Sequence, residues 1–144
     1  MPATRNLAVG LPVREGRVLV TLGHDPARAL TFCRAIGGGI EPGETARQAL
    51  EREFREELGL HVPGGRLLGV LENVFTYRGE PGHEVVHVFA VPSEPFAALP
   101  DEDVPPVLDT GEPVRWVALE EFDDEAFPLF PAGALALLRA DAGR

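Results

Sequence analysis

The chain has 144 residues, with 13 basic side chains, all of them arginine, against 23 acidic ones, and a formal net charge of -10. A single domain of this length buries a core without metal or disulfide staples. So acidic a balance argues against general binding to duplex nucleic acid or an anionic membrane surface, yet it leaves room for a polyphosphate whose charge metal ions would meet. The one cysteine, Cys33, allows no internal disulfide and fits a reducing compartment. No apolar run approaches the roughly 18 residues of a membrane span, and the first residues, MPATRNLAVG, lack the apolar run and cleavage region of a signal peptide. The expected location is the cytoplasm. The oligomeric state is open, a homodimer being among the assemblies allowed.

In chain order, Leu7–Val13 and Arg17–Leu22 read as strands joined by a turn at Glu15-Gly16. Leu30–Ile36 is a third strand, cut off by Gly37, Gly38 and Gly39, whose entropic cost points to a tight turn or a close approach. Pro42 and Gly43 keep the next segment a loop. Thr45, with Gln48 three residues on, reads as a capping box opening a helix over Ala46–Leu58. Leu50, Phe54 and Leu58 form its buried stripe, and Gly59 its left-handed stop.

Arg66–Phe75 and Val85–Val91 are further strands, expected to flank a mobile loop that holds Tyr77, Arg78, Gly79, Pro81, Gly82, His83 and Glu84. The nearly unbroken apolar run of Val85–Val91 suits a central strand. Pro92–Pro113 should be a long connection. Val114–Leu119 reads as the last strand, Glu120–Phe122 as a turn, and Pro131–Ala140 as a helix started by proline. There is no internal repeat or linker, so 1–144 is expected to be one domain, an α/β/α sandwich with a mixed sheet and a helix on each face.

The most informative stretch is Gly38–Leu60. Glu53, Glu56 and Glu57 fall at i, i+3 and i+4, on one helix face a turn apart. Like charges so placed repel, and a hard cation such as Mg²⁺, held by carboxylates together with substrate phosphates, would remove that cost. The bland alternative is a solvated acidic face. The spacing G-x5-E-x7-R-E-U-x-E-E-x-G-U (U apolar), carried by Gly38, Glu44, Arg52, Glu53, Phe54, Glu56, Glu57, Gly59 and Leu60, resembles the box of the Nudix hydrolases at every fixed position.

That resemblance implies a metal-dependent pyrophosphohydrolase that cleaves a nucleoside diphosphate linked to another moiety. It implies Mg²⁺, or Mn²⁺, on Glu53, Glu56 and Glu57 with the Gly37 carbonyl, and an Arg52 that orients the glutamates. Glu44 would support the site. The base that deprotonates the attacking water would lie on the helix or on a distal glutamate, for which Glu84, beside His83, is the first candidate. Arg34 and Arg78 are candidates for phosphate binding. His87, within an apolar strand, reads as a lining residue.

The expected partner is a small nucleotide. Enzymes of this family selective for ADP-ribose usually carry a proline 15 or 16 residues past the box, where this chain has Phe75 and Thr76. Tyr77, 17 past Leu60, resembles the tyrosine of dinucleoside polyphosphate hydrolases and would contact the nucleotide moiety. A further departure is Ile36, where a proline commonly precedes the glycines. The rival from another class is a non-catalytic Nudix domain serving as a nucleotide-binding or regulatory module, although idle homologues usually lose box glutamates and this chain keeps them all.

Overall fold

The computed structural model describes residues 3–142. Eight strands and two α-helices follow in the order β1 (Arg5–Arg14), β2 (Arg17–Asp25), β3 (Leu30–Arg34), β4 (Ile36–Gly39), α1 (Ala46–Leu58), β5 (Arg66–Tyr77), β6 (Glu80–Val91), β7 (Val114–Ala118), β8 (Leu129–Phe130) and α2 (Ala134–Ala142). The path of the sheet is β5-β6-β1-β2-β3-β8, with β4 added to β1 and β7 to β2. β1 runs parallel to β6 and antiparallel to β2 and β4, so the sheet is mixed.

Alternation along β1 divides the core. Leu7, Val9 and Leu11 point to one face, where α2 contributes Ala134 and Leu138. Ala8 points to the other, where α1 contributes Ala49, Leu50 and Phe54. Gly10 falls on that second face, and a Cβ there would lie 2.9 Å from the Phe54 ring and 3.0 Å from Leu50, so its missing side chain lets α1 sit down on the sheet. One helix on each face gives the expected α/β/α sandwich.

The helix α1 begins and ends as read. Thr45 Oγ1 accepts from the Gln48 amide at 3.1 Å, and Gln48 Oε1 accepts from the Thr45 amide at 2.9 Å. Gly59 closes the helix in the left-handed region, its N–H donating to the Arg55 carbonyl. No helix among the described residues is long and apolar enough to cross a membrane.

Four expectations change. Val114–Ala118 is not the last strand, since β8 follows it. The segment after Phe75 is not a mobile loop: β5 and β6 join through Arg78 and Gly79, both at positive φ (53° and 81°), the two-residue hairpin turn that matches strand twist. Pro81, Gly82, His83 and Glu84 therefore lie inside β6. Proline is tolerated there because, among the described residues, β6 pairs with β5 alone at that point, β1 joining at Glu84. The three glycines do not form a turn, since Gly37, Gly38 and Gly39 are themselves strand β4, paired with Val9, Ala8 and Leu7. The last helix starts at Ala134, after Pro131 and Gly133 have turned the chain out of β8.

Candidate active site

Arg52 organises the acidic face of α1. Its Nε and Nη2 hold both oxygens of Glu44 at 2.7 and 2.8 Å, a bidentate fork. Nη2 also donates to the Gly39 carbonyl at 2.8 Å, fastening the helix to β4. Nη1 donates to Glu53 at 2.9 Å and to Glu56 at 3.3 Å. One guanidinium thus ties the loop before the helix, the glycine strand and two box glutamates. The fork, together with the Glu41 amide, holds the Glu44 carboxyl at about 2, well below its usual value, and pushes the Arg52 guanidinium up.

Glu57 is in the opposite situation. Its Oε2 is buried with no hydrogen-bond partner among the described residues. Burial first, then the charges of Glu53, Asp109 and Glu112, raise its pKa to about 8 against a weaker lowering by the Gly37 amide. Asp109 and Glu112 lie in the turn after Val107, and this segment is tied to the helix by the Leu108 amide, which donates to the Glu57 carbonyl at 2.9 Å. In sequence both belong to the long connection Pro92–Pro113, and nothing in their spacing marks them as neighbours of the helix.

An unpaired, buried carboxylate oxygen crowded by other carboxylates is a donor set that suits a hard divalent cation by its chemistry. The side chains are not gathered on one point, however: no group of three His, Cys, Asp or Glu side chains among the described residues converges as metal ligands do. Arg52 accounts for part of this, since its Nη1 occupies oxygens of Glu53 and Glu56.

The glycine strand is the wall between this cluster and a cleft of ≈ 510 Å³. A Cβ on Gly38 would stand 2.6 Å from Glu53 Oε1, and a Cβ on Gly37 would stand 2.1 Å from the Ala8 carbonyl oxygen. Only glycine lets β4 lie this close to both helix and sheet. Gly37 and Gly38 also line the cleft, together with Glu84, Arg34 and Tyr77, whereas Glu53, Glu56 and Glu57 do not.

Glu84 shares the face of Val86 and Val88, opposite that of α1, and its carboxylate lies 3.7 Å from Arg5 Nη1. His83 points elsewhere, its Nε2 2.8 Å from Glu72. Arg78 is not part of the cleft lining: its amide donates to Asp25, its guanidinium donates to the His24 carbonyl at 3.3 Å, and it lies over the Tyr77 ring. Asp25, which the sequence did not single out, is buried. Burial alone would raise its pKa, but the Arg78 amide, the Arg28 guanidinium and the Ala27 amide outweigh that and hold it below the usual carboxylate value.

A mixed sheet between two helices, with an arginine-clamped row of glutamates laid on a glycine strand, is the domain that the NUDIX family description matches, over residues 4–138. The chain belongs to that family. It is 32% identical over 77 residues to a CTP pyrophosphohydrolase of Escherichia coli K12, covering 54% of this chain and 53% of that protein. The match thus spans about half the length of that relative. Among solved structures, a MutT NUDIX hydrolase from Burkholderia pseudomallei superimposes with a TM-score of 0.66 at 26% identity, covering 95% of this chain and 98% of the other. A NUDIX hydrolase from Nitrosomonas europaea gives 0.68 at 20% identity, covering 98% and 90%, a likeness of fold.

Proposed function

We propose that the chain is a divalent-metal-dependent pyrophosphohydrolase acting on a nucleoside diphosphate linked to a further group, with nucleoside triphosphates and dinucleoside polyphosphates as the leading substrate classes. The observation that supports it most is the buried, unpartnered Glu57 carboxylate oxygen beside Glu53, one glycine strand away from a nucleotide-sized cleft. The E. coli relative's name, a CTP pyrophosphohydrolase, favours the triphosphate class, and Tyr77 in the cleft lining keeps dinucleoside polyphosphates in view.

Glu53, Glu56 and Glu57, with the Gly37 carbonyl, would hold the cation. When bound, it supplies positive charge to the phosphates and lowers the pKa of water. The residues around it do the rest. Arg52 fixes Glu53 and Glu44 against the glycine strand, so the helix carboxylates meet the substrate at one edge of β4. In the reaction a water oxygen forms a bond to one phosphorus while the bridging P–O bond breaks, its electron pair leaving on the other phosphate. The water's proton passes to a carboxylate. A base on α1 fits best, because Glu84 stands on the opposite face and is turned to Arg5.

A second reading has support in the hold Arg52 keeps on Glu53 and Glu56 in this arrangement: a nucleotide-binding module without turnover. A panel of nucleotides with Mg²⁺, with Mn²⁺ and with chelator, followed for phosphate and pyrophosphate release after phosphatase coupling, separates the two. Metal-dependent release from at least one nucleotide is expected. Tight binding without release from any of them would establish the binding module instead.

A further inference from the structure

Tyr77, expected to meet the nucleotide, already has neighbours on its ring. It stands edge-on to Phe32, centroids 5.8 Å apart at 86°, and the guanidiniums of Arg34 and Arg78 lie 5.8 and 5.2 Å from its centre. Phe32 is buried and lies against the backbone of β2, where a Cβ on Gly23 would come within 2.7 Å of its ring. Arg34 also sits over Phe32, at 5.5 Å. Two rings therefore fix one guanidinium in place.

Among the described residues three arginines line the cleft, and two are engaged with acids: Arg5 with Glu84 at 3.7 Å, and Arg28 with Asp25 at 3.1 Å. Arg34 has neither an ion pair nor a side-chain hydrogen bond among the described residues. Aromatic faces hold a guanidinium without using its N–H groups, so the whole planar fork stays available, and that fork matches phosphate oxygens bidentately. In a chain of net charge -10, an unpaired cation kept beside the glycine wall is a place for an anion. Arg34 precedes Gly37 by three residues, on the order of 10 Å of extended chain, so it meets a group displaced from the pyrophosphate at the glycines.

We propose that Arg34 is a specificity-determining contact for a phosphate beyond the pyrophosphate bound at the glycines, and that Tyr77 is a positioning residue acting through Arg34 and not a platform for a base. The substrate class is then a nucleotide with three or more phosphates in a row, a nucleoside triphosphate or a dinucleoside polyphosphate, in preference to a nucleotide sugar whose second moiety is uncharged. This rests on the pyrophosphohydrolase reading for its kinetic arm only.

For the base that the nucleotide panel favours, kcat/KM is measured on the nucleoside triphosphate and on the matching nucleoside diphosphate sugar. Arg34→Gln should reduce the preference for the triphosphate by about tenfold or more, mainly through KM. Tyr77→Leu should reduce it in the same direction, Tyr77→Phe should restore it, and Arg34→Gln with Tyr77→Leu should add little to Arg34→Gln alone. If Tyr77→Leu raises KM equally on both substrates and adds fully to Arg34→Gln, Tyr77 stacks the base and the proposal is wrong. An Arg34→Gln protein with an unaltered preference overturns it too. Calorimetric binding of a non-hydrolysable triphosphate analogue keeps the test separate from turnover. A chain that hydrolyses nothing but binds the analogue about tenfold more weakly after Arg34→Gln loses the enzyme reading and keeps this one. Equal affinity, or no binding by the unaltered protein, overturns it.

Discussion

Arg52 is the side chain on which the acidic face depends, because one guanidinium serves Glu44, Glu53, Glu56 and the Gly39 carbonyl. Lysine keeps the charge but cannot reproduce a fork that grips one carboxylate with two nitrogens while bonding a carbonyl. Arg52→Lys should lower turnover by roughly a hundredfold, the scale of a misplaced catalytic group, with a loss of stability of roughly 1–3 kcal/mol in urea titration. The same contact sets an acid limit. The Glu44 carboxyl is held at about 2 in the folded chain, against an ordinary value of 4.5. Its contribution is therefore complete above pH 4.5 and is lost as the pH falls towards about 2. Glu44→Gln should flatten the fall in urea midpoint across that window, and an unchanged acid profile would contradict the role given to the fork.

Among the elements, the glycine strand and the helix are fitted to each other, and the neighbouring glycines Gly37 and Gly38 face different obstacles. An alanine Cβ at Gly37 meets the backbone oxygen of Ala8 at 2.1 Å, which no side-chain movement relieves, and φ there is 154°. At Gly38 the obstacle is the Glu53 carboxylate, the end of a side chain that can swing away once it gives up Arg52. Gly37→Ala should therefore destabilise by roughly 3 kcal/mol or more, whereas Gly38→Ala should leave the thermal midpoint within a few degrees and still cost most of the activity. Equal effects of the two on stability would contradict this division. The helix itself was legible in the sequence, because the capping box, the Leu50/Phe54 stripe and Gly59 are local signals, all found in place. The Arg78-Gly79 hairpin was not, because a Pro-Gly-rich stretch reads as a loop unless its pairing with β5 is known. The same limit applied to Asp109, Glu112 and Asp25, whose importance comes from contacts across the chain, Asp25 meeting the Arg78 amide 53 residues away.

Over the whole molecule, the sheet separates two jobs. The face of α1 carries the carboxylates and half of the core, while the other face carries the arginine-lined cleft, and the three glycines of strand β4 lie between them. On the function proposed above, the cleft side would meet the phosphate chain and the carboxylates of α1 would hold the metal. The arrangement carries a cost at Glu57, whose charge is disfavoured by burial and by its acidic neighbours. Sites arranged for chemistry commonly sacrifice stability in this manner. Turnover and thermal unfolding of Glu57→Gln, measured side by side with and without Mg²⁺, test the central claim most directly. Glutamine keeps the shape and removes the charge. Turnover should fall by about a hundredfold or more, on the scale of losing a group that would hold the cation at the phosphates. The metal-free thermal midpoint at pH 9 should be equal to or above that of the unaltered protein, with a smaller stabilisation by Mg²⁺. A variant that keeps more than about a tenth of the turnover at saturating metal, with the same response to Mg²⁺, would contradict that claim.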